Sequence, residues 1–329
     1  MSDGLLLVAE AGREVGWGHL AEMRAVASAL GARGIPAARV AVGLAAVDEA
    51  GLEWVPDYAV LMQRVLATQP RVIGWNMRTD GWRAAWQVLD PLPARHLWID
   101  DIADDYPPVD VLVVPTLEPR GRPAPSGVRA LGGAAYFPLD VRGPRAIPPL
   151  RTRPRQVLLT LGGSDPTEAS LRLVPALAGT RSTVVIGPAF RHREALLLAA
   201  TALGLEAVVA PDGLRDLLVR HQLVISAGGD TLFEAAAAGT PALVAWTNPH
   251  EEAQARAFAS RGTARVLGRG TDVDVDAVAG AVTALLASDA LDAMSAAGPR
   301  TVDLRGADRI ADLLIELGAG VPAGGPVQK

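Results

Sequence analysis

The 329-residue chain contains no cysteine. This absence excludes a disulfide framework, a thiolate zinc site and a cysteine nucleophile. Aromatic residues make up only 4% of the sequence, and 31 Lys and Arg residues stand against 36 Asp and Glu residues. Because the net charge of -5 supplies no basic field for a phosphate backbone, nucleic acid is not an expected partner.

Long hydrophobic runs are also missing. No run reaches about 18 apolar residues, so the sequence predicts no integral membrane segment. The first residues carry no basic region, and their apolar run covers only residues 5–9, from which we expect a cytoplasmic protein. Half of the residues are hydrophobic, enough for a packed core, and the length predicts two domains of about 100 to 200 residues each.

Short runs rich in Val, Ile and Leu recur with helix-length segments between them, an alternation typical of doubly wound parallel sheets. The first series is 5–9, 39–42, 72–75, 96–99 and 111–114, and the second is 157–161, 183–186, 207–209, 223–226, 242–245 and 265–267. Prolines within residues 142–155 indicate a linker between the two series. The sequence therefore predicts an α/β protein with two Rossmann-like domains, 1–145 and 146–317, and a flexible tail, 318–329.

Three glycine-rich turns follow predicted strands, at residues 12–19, 161–166 and 226–234. Ligands of open α/β sheets bind beyond the carboxyl ends of the strands. There, such turns present backbone N–H groups and helix N-termini to a phosphate. A tight turn alone explains any single one of them, but three turns at equivalent places favour a phosphate site.

Residues 16–21 also match the G-x-G-x-x-A form of the dinucleotide fingerprint, which would indicate an NAD-dependent oxidoreductase. The second predicted strand, which ends near Val42, has no acid placed to bind a ribose. No Walker lysine follows the glycines. No nucleophile elbow is present either, because Ser164 lies between Gly163 and Asp165.

The five histidines show no spacing typical of a transition-metal site. The acids within residues 100–105 could gather a hard cation, although a solvated loop is the more usual structure for such a run. We therefore predict neither a metal nor a cofactor. His19 follows the first glycine-rich turn, where an imidazole can serve as a base, and it is the candidate catalytic residue.

Together these motifs resemble the nucleotide-sugar enzymes of the GT-B fold, in which two Rossmann-like domains face each other across a cleft. The resemblance is carried by residues 16–19, 161–165, 226–234 and 238–254. The sequence is most similar to the UDP-sugar hydrolase of pseudaminic acid biosynthesis and its spore-coat polysaccharide relatives. It is more distantly similar to the N-acetylglucosaminyltransferase that makes lipid II.

The resemblance implies roles for individual residues. His19 would be the general base, Glu234 would bind the ribose hydroxyls, and Leu214 would lie beside the uracil. The other implied nucleotide and diphosphate positions are Gly162, Gly163, Ser164, Asp165, Ser226, Gly228, Gly229 and Thr231. The implied sugar or acceptor positions are Gly16, Gly18, Tyr136, Asn248, Glu251 and Gln254.

Two places depart from the hydrolase pattern, both in the N-terminal half. Glu22 stands where the G-x-G-H-x-x-R motif has its arginine, and Trp75-Asn76-Met77 replaces an Asp-His-Tyr sequence. These changes concern the acceptor side, which the resemblance assigns to this half. Nearby, Trp82 and Trp86 either stack on an aglycone or pack in the core.

We therefore expect an inverting glycosyltransferase that uses a UDP-sugar and a small-molecule acceptor, without a required metal. A UDP-sugar hydrolase, which uses water as the nucleophile, is the alternative within the same fold. An NAD-dependent oxidoreductase and a catalytically silent nucleotide-sugar binding protein are the rivals outside this class.

Overall fold

The computed structural model describes residues 4–12, 16–43, 49–77, 86, 92–99, 108–117, 126–140 and 146–319. The strands are β1 Leu5–Glu10, β2 Ala38–Val42, β3 Leu52–Val55, β4 Val72–Asn76, β5 Arg95–Ile99, β6 Val111–Val114, β7 Arg129–Gly132, β8 Arg155–Thr160, β9 Thr183–Ile186, β10 Glu206–Val209, β11 His221–Ser226, β12 Ala242–Trp246 and β13 Ala264–Arg269. The helices are α1 Gly18–Ala32, α2 Tyr58–Thr68, α3 Ala169–Leu173, α4 Arg193–Ala202, α5 Arg215–Arg220, α6 Thr231–Ala237, α7 Pro249–Ser260, α8 Val275–Leu286, α9 Ala290–Thr301 and α10 Gly306–Ala319. Within these ranges no single helix is long and apolar enough to cross a membrane, and one bent pair, 275–286 with 290–319, passes only by length and composition.

Two parallel sheets organise the chain. The first has the order β3-β2-β1-β4-β5-β6-β7 and the second the order β10-β9-β8-β11-β12-β13. The strand order reverses beside β1 in the first sheet and beside β8 in the second. The predicted α/β architecture with two doubly wound sheets is confirmed.

Strands β3 and β7 have no counterpart in the predicted series. Both are edge strands, and most of their residues are exposed or only partly buried. An edge strand with one solvated side can contain polar residues. The continuous apolar runs that predict the inner strands are therefore missing from β3 and β7. By contrast, every residue of β1 is buried.

The chain divides into two compact units, Met1–Asp140 with Arg305–Lys329, and Val141–Leu304. The predicted second domain, 146–317, is therefore wrong at its end, because α10 belongs to the first unit. Ile310 and Leu314 of α10 are fully buried in the same apolar core as β1 and α1. Except for Gly318 and Ala319, which end α10, the predicted tail lies outside the described residues.

The described part of the proline-rich segment is fixed to the second unit. Leu150 is buried in its core, and Arg153 is 2% exposed. The Arg153 guanidinium donates to the His221 carbonyl and to Thr240 Oγ1, both at 2.8 Å, and to the Ala238 carbonyl at 2.9 Å. Burial lowers the pKa of Arg153 to about 10, so the side chain remains charged at neutral pH.

Candidate functional site

Each glycine-rich turn follows a strand at the point where the order of its sheet reverses. The first turn follows β1, which pairs with β2 and β4, and the other two follow the adjacent strands β8 and β11. In open α/β sheets this position, beyond the carboxyl ends of the strands, is where ligands bind. The topology therefore brings the turns at residues 161–166 and 226–234 side by side.

The first turn leads directly into α1. Gly12 and Gly16 close it with two backbone hydrogen bonds of 3.0 and 2.8 Å. Gly18 begins the helix, and His19 follows as a half-buried residue in the first helical turn. Trp17 packs edge-on against Trp54, with 6.3 Å between the ring centroids. The candidate base thus stands where a helix begins beside the switch point of the first sheet.

Residues from the two places that depart from the hydrolase pattern contact each other. Asn76, the last residue of β4, donates from Nδ2 to Glu22 Oε2 at 2.6 Å and to the His19 carbonyl at 3.4 Å. Glu22 is 8% exposed and Asn76 is 3% exposed. The pairing of β1 with β4 brings these distant residues together, which no local spacing could have indicated.

The other described aromatic positions of the first unit belong to its core. Tyr136 is half-buried at the end of a short 3-10 helix and packs on the core of α1 and α10. Trp86 is 8% exposed, and its ring lies 6.5 Å from that of Trp75 and 4.7 Å from that of His96. Trp86 is therefore a packing residue, whereas Trp82 lies outside the described residues.

A metal site would need several His, Asp or Glu side chains arranged around one point. In the described ranges, no group of three or more His, Asp or Glu residues is so arranged. The acids within residues 100–105 lie outside those ranges, so a hard-cation site and a solvated loop both stay predictions for them.

The turn after β8 is anchored by the buried carboxylate of Asp165, which is 2% exposed. This carboxylate accepts from the backbone nitrogens of Ala169 and Ser170 at 3.1 and 3.0 Å, and from the Ser170 hydroxyl at 2.5 Å. His192 Nε2 lies 3.1 Å from the same carboxylate and 2.9 Å from Ser170 Oγ. The first N–H groups of α3 are therefore already bound to a side chain.

These contacts change what the β8 turn can offer a ligand. The Asp165 carboxylate faces the start of α3. Asp165 therefore fixes the shape of the turn. The exposed Gly162 and the half-buried Gly163 and Ser164 remain as the accessible part. Gly162 has a φ of +79°, a conformation that favours glycine. Sequence spacing did not reveal His192, because it follows Asp165 only after a helix and a strand.

The turn after β11 packs tightly against α7. The Gly228 carbonyl accepts from Gln254 Nε2 at 2.8 Å, and a Cβ added to Gly228 would lie 2.6 Å from the Glu251 Cα. A Cβ added to Gly229 would meet no atom within 4 Å. Gly228 is thus required for close approach, while Gly229 faces open space.

Helix α6 begins within the predicted turn segment 226–234. Thr231 is its first residue and is buried, and Glu234 lies one turn further along and is half-buried. Leu214, which is half-buried, directly precedes α5. The side chains of Glu234 and Leu214 are exposed enough to contact a ligand. The Thr231 side chain is not, because Thr231 is only 7% exposed.

The polar residues at the start of α7 cap that helix. Asn248 Oδ1 accepts from the Glu251 backbone nitrogen at 3.0 Å, and Glu251 Oε2 accepts from the nitrogen and the hydroxyl of Thr247 at 2.7 Å each. This reciprocal arrangement resembles a capping box. Asn248 and Glu251 therefore stabilise the start of α7, in addition to the sugar or acceptor contact that the resemblance implies.

A buried hydroxyl pair lies beneath the two turns of the second sheet. Ser226, the last residue of β11, is in register with Thr160, the last residue of β8. The two residues are 0% and 1% exposed, and within the described part of the chain neither hydroxyl has a hydrogen-bond partner. Thr160 was not predicted as a site residue, although a polar residue that ends an apolar strand beside a glycine-rich turn could have indicated it.

Comparison with known proteins identifies the architecture. No protein-family model matches the chain. The spore coat polysaccharide biosynthesis protein SpsG of Bacillus subtilis (strain 168) is 28% identical over 171 residues, which span half of this chain and half of SpsG. MurG of Acinetobacter baumannii superposes with a TM-score of 0.66 at 16% identity, over 95% of this chain and 99% of MurG. The chain has the GT-B fold. The glycosyltransferase VinC in complex with dTDP shares the fold with a TM-score of 0.62 at 18% identity, over 96% of this chain and 99% of VinC.

Proposed function

We propose that the protein is a GT-B glycosyltransferase that uses a UDP-sugar and transfers the sugar, with inversion, to a small-molecule acceptor. The observation that carries the proposal is the position of the three glycine-rich turns at the two switch points, with His19 at the end of one turn and Glu234 at the end of another. SpsG, whose name places it in polysaccharide biosynthesis, and VinC, a glycosyltransferase with a bound nucleoside diphosphate, support the same reaction class.

The second unit would bind the nucleotide. Backbone N–H groups of Gly162, Gly163 and Gly229 would hold the diphosphate, since these glycines have no side chain to obstruct a phosphate. The Glu234 carboxylate can accept from two neighbouring ribose hydroxyls, and Leu214 offers an apolar surface to the base.

The first unit would supply the base. In the proposed reaction His19 takes the proton from the acceptor oxygen or nitrogen as that atom bonds to the anomeric carbon. The bond from the anomeric carbon to the diphosphate breaks on the opposite side, which inverts the configuration. Backbone N–H groups of the second unit would stabilise the negative charge of the departing UDP, so the proposal requires no metal ion.

Product analysis in ¹⁸O-labelled water tests the reaction class. The protein is incubated with UDP-sugars and candidate acceptors, and the products are identified by mass spectrometry. We expect UDP and an unlabelled glycoside. Labelled free sugar without a glycoside would identify the hydrolase instead, and tight UDP binding without consumption of any UDP-sugar would indicate a binding protein.

Replacement of Glu234 tests the nucleotide site. Glu234→Ala should weaken UDP binding by about 1 to 3 kcal/mol, because charge-assisted hydrogen bonds to the ribose are lost. Isothermal titration with UDP measures the difference. Glu194→Ala is the matched control, since Glu194 is an exposed acid in the first turn of α4. Equal UDP affinity in the two variants would contradict the assignment.

A further inference from the structure

We propose that Asn76, oriented by Glu22, is a positioning residue for His19. The inference rests on the proposed function of His19 as the general base. It concerns a hydrogen-bonded group of three residues at the switch point of the first sheet, where β1 and β4 are neighbours. Two of the three, Glu22 and Asn76, have no role in the proposed reaction.

The geometry fixes which way the Asn76 amide is turned. Its Nδ2 lies 2.6 Å from Glu22 Oε2 and 3.4 Å from the His19 carbonyl oxygen. A carboxylate and a carbonyl only accept hydrogen bonds, so the NH₂ group, which carries two donors, has to face both of them. One amide group therefore ties the end of β4 to the first turn of α1.

Burial makes this connection stiff. Asn76 is 3% exposed and Glu22 is 8% exposed, so water competes weakly for the hydrogen bond between them. His19 and Glu22 lie three residues apart on α1, hence on one face of the helix. The short bond to Glu22 holds the amide in place, and the second N–H of the amide contacts the backbone at His19.

The arrangement has a consequence for catalysis. A general base must stand within hydrogen-bond distance of the proton that it removes, and a misplacement of about 1 Å can lower the rate about 100-fold. Loss of the amide contact should therefore lower kcat more than it affects binding of the nucleotide, whose proposed residues belong to the other unit.

Near-isosteric variants separate positioning from stability. Asn76→Asp places a second carboxylate against Glu22, and should lower both the melting temperature and kcat. In the double variant Glu22→Gln with Asn76→Asp, the amide at position 22 donates to the carboxylate at position 76, so the bond re-forms with reversed polarity. Position 76 still has no donor for the His19 carbonyl. Gln63→Glu is the control for added charge, on an exposed position of α2.

The measurements are thermal unfolding, steady-state kinetics with the UDP-sugar, and the NMR signals of the His19 imidazole. We expect the double variant to regain most of the melting temperature while kcat stays about 10- to 100-fold below wild type, with KM changed less than about threefold. Parallel recovery of kcat and melting temperature would overturn the inference, because it would assign the pair a structural role only.

The imidazole signals keep this test separate from that of the proposed function. Asn76→Asp and the double variant should both shift the His19 signals, and Gln63→Glu should not. If the wild type has no turnover, the proposed function fails, yet shifted His19 signals would still support the positioning contact. Unshifted signals in both Asn76 variants would overturn the inference whatever the activity.

Discussion

The two sheets bring glycine-rich turns to equivalent switch points but hold them by partly different means. In the second sheet, beside the Asp165 cap, the backbone itself is packed: Gly228 lies against Glu251, and the Gly163 carbonyl accepts from the Ala189 nitrogen at 2.9 Å. In the first sheet backbone hydrogen bonds close the turn itself, and a side-chain pair, Glu22 and Asn76, holds the start of α1. A side-chain pair can be exchanged without rebuilding a turn, whereas a close backbone approach admits no added atom.

The two sheets also differ in how far the sequence departs from the pattern that it resembles. The departures fall on the side-chain pair of the first sheet, and the glycine turns of the second sheet keep the pattern. Under the proposed function, the acceptor can therefore change through side chains of the first sheet while the nucleotide site of the second sheet stays constant. Substitutions in each sheet test that division.

The largest effect is expected at His19. His19→Asn should lower kcat by roughly 10² to 10⁴, because the proposed general base is lost, while UDP affinity stays within about twofold. The acidic limb of the pH–rate profile should also disappear, since Asn does not titrate. Kinetics across pH and UDP titration measure the two quantities. Near-normal turnover in this variant would remove His19 from the mechanism.

The second prediction concerns acid sensitivity of the second unit. His221 is 1% exposed, with Nδ1 2.7 Å from the Leu217 carbonyl and Nε2 2.9 Å from Thr183 Oγ1. Burial lowers the pKa of His221 from 6.5 to about 4. Between these values the unfolded chain binds a proton that the folded chain does not. The stabilisation from the neutral, buried His221 imidazole is therefore complete above pH 6.5. It is lost as the pH falls towards 4, because the unfolded chain takes up the proton first.

The size of that loss is about 3 kcal/mol of unfolding free energy. His221→Gln keeps a donor and an acceptor but removes the titration, so the variant should be less sensitive to acid over this range. Urea unfolding at several pH values, followed by a signal from the second unit, gives the comparison. Parallel stability curves for the two proteins would contradict the assignment of the proton to His221.

The smallest effect is expected at the third turn, where two adjacent glycines differ. Gly228→Ala should lower the free energy of unfolding by about 1 to 3 kcal/mol, because the added methyl group collides with the backbone at Glu251. Gly229→Ala is the matched control and should change stability much less, since its methyl group would enter open space. Equal melting temperatures in the two variants would show that the turn yields, and would weaken the contrast between the two sheets.

Much of the fold could be predicted because its signals are local. The inner strands are buried on both faces and appear as continuous apolar runs, as in β1 and β11. The edge strands β3 and β7 lack that signal. The position of α10 could not be predicted for another reason. An amphipathic pattern indicates that a helix packs on a sheet, but it does not indicate which of the two sheets.

The sequence by itself determined two parallel sheets, the glycine-rich turns at their strand ends and His19 as a candidate, because short-range patterns of apolar and small residues encode these features. Glu234 became a candidate only through the resemblance to nucleotide-sugar enzymes of the GT-B fold. Only the tertiary structure decided which polar groups meet. Asn76 reaches Glu22 and His19, and Asp165 reaches His192, because parallel strands bring distant segments side by side. Hydrogen bonds depend on distance in space, and spacing along the chain does not record that distance for residues joined only through a sheet.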